Sequence, residues 1–251
     1  MILELSSWPE VGAWLERSHT IVIPIGSMEQ HGPNGYIGTD AICPSVIARE
    51  AESGSPDSIL VGPTFGVGCA QHHLGFPGTI TLRPSTMIAA ILDWTQSLAH
   101  HGFRRFYWFN GHGGNIATVN AAFSEIHAKR SFRTNGDGLP GLDMKLVNWW
   151  DFPKVVELCE RLYPTGHGTH ATASEVSVTY AAYPDHQKTG VAMSPKIAPT
   201  TGDIGDAWQY REAFADGRIG SDPSQSNADD GRQLIEVAAA ELRADLMTFA
   251  R

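Results

Sequence analysis

Thr20-Ile21-Val22-Ile23-Pro24-Ile25-Gly26-Ser27-Met28-Glu29-Gln30-His31-Gly32 is the stretch on which the fold turns. Its first six residues are uncharged and mostly β-branched, the pattern of a short buried strand. Gly26, Gly32, Pro33, Gly35 and Gly38 then interrupt regular structure. Glu29, His31 and Asp40 are therefore expected on an irregular loop leaving the end of a core strand. If that loop stays extended, Glu29 and His31 share a side, because residues two apart lie on one face. Two carboxylates and an imidazole offer hard oxygens and one nitrogen to a divalent metal. The same three residues also suit a plain surface loop with solvated charges.

Outward from this stretch the same arrangement recurs. Arg105 to Phe109 reads as a strand and runs into Asn110-Gly111-His112-Gly113-Gly114-Asn115. Ser58 to Gly62, Ile80 to Leu82 and Lys145 to Asn148 read as further short strands. Helical spacing covers Ile42 to Glu52, Ser85 to His101 with Gly102 as its stop, Ile116 to Lys129, Pro153 to Leu162, Ala171 to Ala182, and a closing amphipathic helix from Asp229 to Ala250. Ser131 to Asp143 is a Gly/Pro-rich connection, and Asp185 to Gly205 is an ordered excursion or a mobile cover. Strands alternating with helices imply an α/β fold with a largely parallel sheet. A chain of 251 residues fits a single domain, 1–251. Ligands in such folds gather beyond the carboxyl ends of the strands, which would bring Glu29-x-His31 and His112 to one edge.

A net charge of −9 with no Lys/Arg run argues against nucleic acid and anionic membranes as partners. No apolar stretch approaches the ~20 residues of a membrane helix. The N-terminus has no cationic start followed by an apolar run, so no secretory signal is expected. Cys43, Cys69 and Cys159 form no CxxC unit and cannot all pair within one chain, which suits a reducing cytoplasm.

Three further motifs carry chemistry. His112 lies between glycines at a strand end, where a metal or substrate can approach the backbone, with Asn110 and Asn115 able to pin the turn. In Gly166-His167-Gly168-Thr169-His170-Ala171-Thr172-Ala173-Ser174-Glu175, His170 stands before a helix and Glu175 inside it. A spacing of five aligns two helical groups poorly, so Glu175 could ligate while His170 handles protons, a task that suits an imidazole. A bland reading makes this a helix start with Thr169 as cap. In Gln71-His72-His73, adjacent side chains are expected to point apart, with at most one histidine facing the site.

Taken together, these motifs resemble the creatininase (creatinine amidohydrolase) family. The matches are Ile23 to Gly32, Gly38-Thr39-Asp40, Phe76-Pro77-Gly78-Thr79, Asn110-Gly111-His112, Trp150-Asp151-Phe152, Leu162-Tyr163-Pro164, and His170 followed by Glu175 and Ser177. The resemblance implies a three-layer α/β/α sandwich with a largely parallel central sheet, a cytoplasmic protein and a homo-oligomer, commonly a hexamer. It implies two divalent metals per subunit, zinc foremost, manganese or iron otherwise. Glu29 and His112 would bind one ion, His31 the other, and Asp40 would bridge them. His170 matches the catalytic histidine. Creatininase itself has a carboxylate ligand two residues after the motif histidine, where this chain has Gly114. Glu175 is the expected replacement, as ligand and catalytic neighbour. Gly166 stands where creatininase has a tryptophan against its flat substrate, and Trp149 or Trp150 could supply a face instead. Gly113, Trp150, His73 and His167 are the expected substrate contacts. The implied reaction is hydrolysis of a C–N amide bond by metal-activated water, on a small-molecule amide such as a cyclic amide like creatinine, a formamide or a peptide-like amide. A two-metal phosphoesterase and a metal-dependent binding protein without turnover are the alternatives.

Overall fold

A computed structural model describes residues 1–133, 138 and 141–250. Strands β1 (Thr20–Ile25), β2 (Arg105–Asn110) and β3 (Asp143–Asn148) form a parallel sheet in that order, with Thr20 opposite Arg105 and Arg105 opposite Asp143. Leu60 to Phe65 lies along the outer side of β1. Val22 N–H donates to Leu60 (2.9 Å), Gly62 N–H to Val22 (2.7 Å) and Phe65 N–H to Pro24 (2.8 Å). Pro24, which has no N–H to give, thus still offers its carbonyl on this loosely paired flank.

The alternation of side chains along β1 and β2 divides the core in two. Val22, Tyr107 and Phe109 face helices α2 (Thr39–Ser53), α5 (Pro153–Leu162), α6 (Ala173–Ala182) and α8 (Ala228–Phe249). Ile21, Ile23, Ile25, Phe106 and Trp108 face α1 (Trp8–Leu15), α3 (Pro84–His101) and α4 (Ile116–Ser131). These are the α/β/α layers. A small satellite cluster of Phe76, Tyr210 and Phe214 gathers around α7 (Ala207–Ala213).

Several expectations need correction. Asp40 is not on the loop. It sits in the first turn of α2, which starts before Ile42. Ile80 to Leu82 makes only a single antiparallel contact, Ile80 N–H to the Met28 carbonyl (2.9 Å). Ser58 to Gly62 is bridged rather than a full strand, because only Val61 reaches both Ile2 and Val22. Helix α6 begins at Ala173 with Thr172 as cap, not at Ala171 with Thr169, because Ala171 takes a left-handed φ of 52° that no helix accepts. Helices α1 and α7 were not expected; each starts with a capping box, Ser7 with Glu10 and Asp206 with Gln209. Residues 134–137 and 139–140 of the connection after Ser131 lie outside the described residues. The 185–205 excursion is tied down. The buried Arg218 guanidinium donates to the carbonyls of Pro195 (2.7 Å), Lys196 (2.9 Å) and Ser221 (2.8 Å) while pairing with Asp216 (2.7 Å).

The start of α2 is pressed onto the strand ends. A Cβ at Gly26 would come within 2.2 Å of the Asp40 carbonyl oxygen, and one at Gly111 within 2.0 Å. Pro44, four residues into the helix from Asp40, has no N–H to take that carbonyl, and its ring packs against Gly111. Only glycines at both strand ends admit this approach, which carries Asp40 to the carboxyl edge of the sheet.

Candidate metal centre

Glu29, His31, Asp40 and His112 converge at that edge, all buried. The loop holding Glu29 is fixed by its own N–H, which donates to the Ile37 carbonyl at 2.8 Å. His112 Nδ1 lies 2.9 Å from Asp40 Oδ2 and 3.2 Å from Glu29 Oε2. His31 Nε2 lies 2.9 Å from Asp40 Oδ1 and 3.9 Å from Glu175 Oε2. Three groups of possible ligands result, Glu29–Asp40–His112, His31–Asp40–Glu175 and Glu29–His31–His170; the first two share Asp40, whose two oxygens face one each.

The far side of each imidazole decides what the near side offers. His112 Nε2 is 3.0 Å from the Cys69 carbonyl, and His31 Nδ1 is 3.2 Å from the Glu29 carbonyl. A carbonyl accepts only, so each of these nitrogens carries the proton. His112 Nδ1 and His31 Nε2 are left as lone pairs facing carboxylates, the arrangement in which histidines hold metals. Glu29 Oε1 and Oε2 and Asp40 Oδ2 are buried with no aligned hydrogen-bond donor, although ring nitrogens stand 2.9–3.2 Å away. Carboxylate oxygens and nitrogens that crowd one point without bonding to each other fit a cation between them.

Without that cation, protons take its place. Burial opposes charge on His31, but Asp40, Glu175 and Glu29 outweigh it and raise the ring to about 10. Burial likewise opposes His112, and Glu29 and Asp40 raise it well above its ordinary value. Burial would raise Glu29, yet His112 and His73 hold it well below the usual carboxylate range. Glu175 is pushed up to about 7 by burial, against the pull of His31.

Glu175 reaches the site from the N3 position of α6. Its Oε1 accepts the Thr172 N–H (2.5 Å), closing a capping box, and its Oε2 is turned to His31. Gly114, by contrast, has no room for a side chain. A Cβ there would lie 2.4 Å from His112 Nε2 and 2.6 Å from the Cys69 carbonyl oxygen.

His170 stands beside the cluster, its Nδ1 3.8 Å from Glu29 Oε1 and its ring 4.7 Å from that of His31. Burial, with the neighbouring His73 and His31, keeps it well below its ordinary pKa and therefore neutral. Its backbone is pinned on both sides: Ile219 N–H (3.3 Å) and Ser221 Oγ (2.7 Å) both donate to the His170 carbonyl. The left-handed Ala171 next to it is fully buried.

A cavity of about 470 Å³ opens from this cluster. Asp40, His112, Gly113, His170 and Glu175 form its floor, and Trp149, Trp150, Tyr163 and His167 are among its walls. Of the expected substrate contacts, Gly113, Trp150 and His167 line the cavity. His167 stacks on Tyr163 (5.7 Å between centroids, 1° apart) and meets Ser174 Oγ at 2.8 Å. His73 is elsewhere. It lies behind the cluster with Nε2 3.1 Å from Glu29 Oε1. His72 does not point away either; in the short 3₁₀ turn Gln71–His73 the two rings stay 4.3 Å apart, and His72 stacks 6.1 Å from His112. Gln30 and Tyr210 also border the cluster and were not singled out from the sequence.

The sequence profile of the creatininase family, described as creatinine amidohydrolase, matches residues 4–246. This chain belongs to the creatininase family. The creatinine amidohydrolase of Pseudomonas putida is 26% identical over 191 residues, spanning 71% of this chain and 70% of that protein. The mycofactocin precursor peptide peptidase of Mycobacterium tuberculosis is 32% identical over 120 residues, 45% of this chain and 47% of the peptidase. The fold is that of a manganese creatininase, with a TM-score of 0.84 at 23% identity over 100% of this chain and 99% of the other. Within the family, creatinine hydrolysis and peptide processing thus appear among this chain's relatives.

Proposed function

We propose that the protein is a metal-dependent hydrolase that cleaves a C–N amide bond in a small molecule. Glu29, Asp40 and His112 would hold one divalent ion, and His31, Asp40 and Glu175 a second, zinc or manganese by their mix of oxygen and nitrogen donors. The observation that carries this reading is the pair of triads sharing the buried Asp40, each with an imidazole already locked to present a lone pair. Bound ions of this kind lower the pKa of water from 15.7 to about 7 and polarise a carbonyl.

The chain's own groups supply the rest. The substrate carbonyl enters over Gly113, where nothing lies within 4 Å of an added Cβ. Trp150 and His167 flank the rest of the molecule in the cavity. Water adds its oxygen to the carbonyl carbon, the C–N bond breaks, and the departing nitrogen needs a proton. His170, neutral and facing the cluster through Nδ1, accepts a proton from the water and passes it on.

Among the described residues no Lys or Arg lines the cavity, which disfavours a phosphate ester. Gly166 brings no aromatic wall, because it turns at φ 68° against Ile197 and Asp222 away from the cavity; Trp149 and Trp150 supply the flat faces instead, which favours an amide other than creatinine. A homo-oligomer, hexameric by family resemblance, and a cytoplasmic location belong to the same reading. The test is elemental analysis of the purified protein, joined to an amide panel covering cyclic amides, formamides and short peptides before and after chelation. Two equivalents of metal and a chelation-sensitive activity are expected. A confirmed amidase activity indifferent to chelation would overturn the reading.

A further inference from the structure

The side chain of Gln30 sits between two imidazoles, and its hydrogen bonds assign their protons. Its amide orientation is settled by two backbone groups: Oε1 accepts the Gly32 N–H at 2.8 Å, and Nε2 donates to the Gly217 carbonyl at 2.9 Å. Reversing the amide would set oxygen against oxygen and nitrogen against nitrogen. The NH₂ group is donor only and has two hydrogens, one of which goes to Gly217. The other has two candidates, His73 Nδ1 and His170 Nε2, each 2.9 Å away.

The backbone carbonyl of Gln30 decides between them. It lies 2.9 Å from His170 Nε2, and among the described residues no other donor reaches it. If His170 Nε2 took the amide hydrogen, its lone pair would face that carbonyl oxygen, and His73 Nδ1 would have no donor. If His170 Nε2 carries its own proton, it donates to the carbonyl, the amide hydrogen goes to His73 Nδ1, and every acceptor is satisfied. His73 then carries its proton on Nε2, 3.1 Å from Glu29 Oε1. His170 is left with a bare Nδ1 on the side of Glu29 and His31.

We infer that Gln30 is a positioning residue that fixes the tautomers of His73 and His170, turning the His73 N–H towards Glu29 and leaving His170 Nδ1 as the open nitrogen at the cluster. Gln30 is itself held. A Cβ at Gly217 would strike its side chain at 1.9 Å, and Tyr210 Oη donates to the same Gly217 carbonyl at 2.7 Å. His73 acts on Glu29 from behind, as outer-shell partners of metal ligands do. The consequence for turnover rests on the amidohydrolase reading; the placement of the protons does not.

The experiment is a long-range ¹H–¹⁵N correlation spectrum of histidine-labelled, metal-free protein at neutral pH, with His73→Ala and His170→Ala assigning the signals. Both rings are expected to be protonated on Nε2 and bare on Nδ1. Gln30→Glu replaces the donor by an acceptor oxygen, and the His73 proton is expected to move to Nδ1. In metal-loaded protein kcat should fall about 10–100-fold with KM little changed, the usual cost of losing an outer-shell partner. A wild-type His170 protonated on Nδ1, or a His73 signal unmoved in a folded Gln30→Glu variant, overturns the inference. If that variant does not fold, the wild-type spectrum decides alone. Correct tautomers in a protein that hydrolyses no amide would uphold the proton placement and sink the activity.

Discussion

Loading of the metal centre should be driven by pH, and the size of the effect follows from the protons that replace the ions. At pH 7 the metal-free cluster holds a proton on His31, raised to about 10, and one on His112, raised well above its ordinary value. Glu175 is pushed up to about 7. Filling both triads therefore expels about two protons from the imidazoles and a further part of one from Glu175. At 1.36 kcal/mol per proton and pH unit, the summed binding free energy strengthens by about 3 kcal/mol for each pH unit gained near neutrality. The sign is fixed: acid restores the protons and expels the ions. The metal-free protein behaves oppositely on the His31 side. A raised histidine contributes its full stability below pH 6.5 and loses it as pH climbs through about 10. Isothermal titration with zinc in two buffers of contrasting ionisation enthalpy counts the released protons. Stoichiometric binding with no proton release would refute the assignment of these ligands.

Four substitutions separate the roles further. Asp40→Ala removes the carboxylate common to both triads and should abolish binding of both ions together with activity, read by elemental analysis beside the amide assay. His170→Ala should keep its metal and lose about 10²–10⁴-fold in kcat, the usual worth of a positioned proton carrier; loss of an ion would make His170 a ligand instead. Gly114→Ala places a Cβ against His112 and the Cys69 carbonyl, so weaker metal binding and a lower Tm are expected. Thr172→Ala deletes the cap of α6 at a cost of about 1 kcal/mol, or about 2–4 °C in Tm, and loosens Glu175 with it.

The layers of the fold were legible because β1 and β2 are short uncharged runs and the long helices keep their apolar spacing. Pro153–Leu162 was bounded by Pro153 at N1 and matches its expected limits. The donor set Glu29, His31, Asp40 and His112 was legible because both motifs directly follow strands of one parallel sheet. What failed depended on contacts distant in sequence. The glycines before Asp40 placed it on a loop, and only the close approach at Gly26 and Gly111 shows why a helix starts there instead. Alternation misled at His72-His73, where a 3₁₀ turn replaced the extended chain. Gln30 and Tyr210 carry no local signature, since their meaning comes from Gly217, nearly two hundred residues beyond Gln30. Helix α7 did carry one, the Asp206-x-x-Gln209 box, which marks its start without any need of structure.

The displaced carboxylate ties these points together. A ligand at position 114 is sterically shut out, because the turn after His112 packs its ring nitrogen and the Cys69 carbonyl over that glycine. The same packing is what fixes the His112 tautomer, since the Cys69 carbonyl accepts a hydrogen bond from the Nε2–H. Closing position 114 and leaving His112 Nδ1 bare are thus one structural decision. The carboxylate that stands with His31 and Asp40 is instead Glu175, in the first turn of α6. There one oxygen is committed to the helix cap and the other is free for His31 and Asp40. The position of that carboxylate is therefore coupled to the folding of α6, whose start lies two residues from the left-handed turn that presents His170. In the proposed function ligand and proton carrier both come from one short segment, 170–175, so changes to its backbone should disturb both at once.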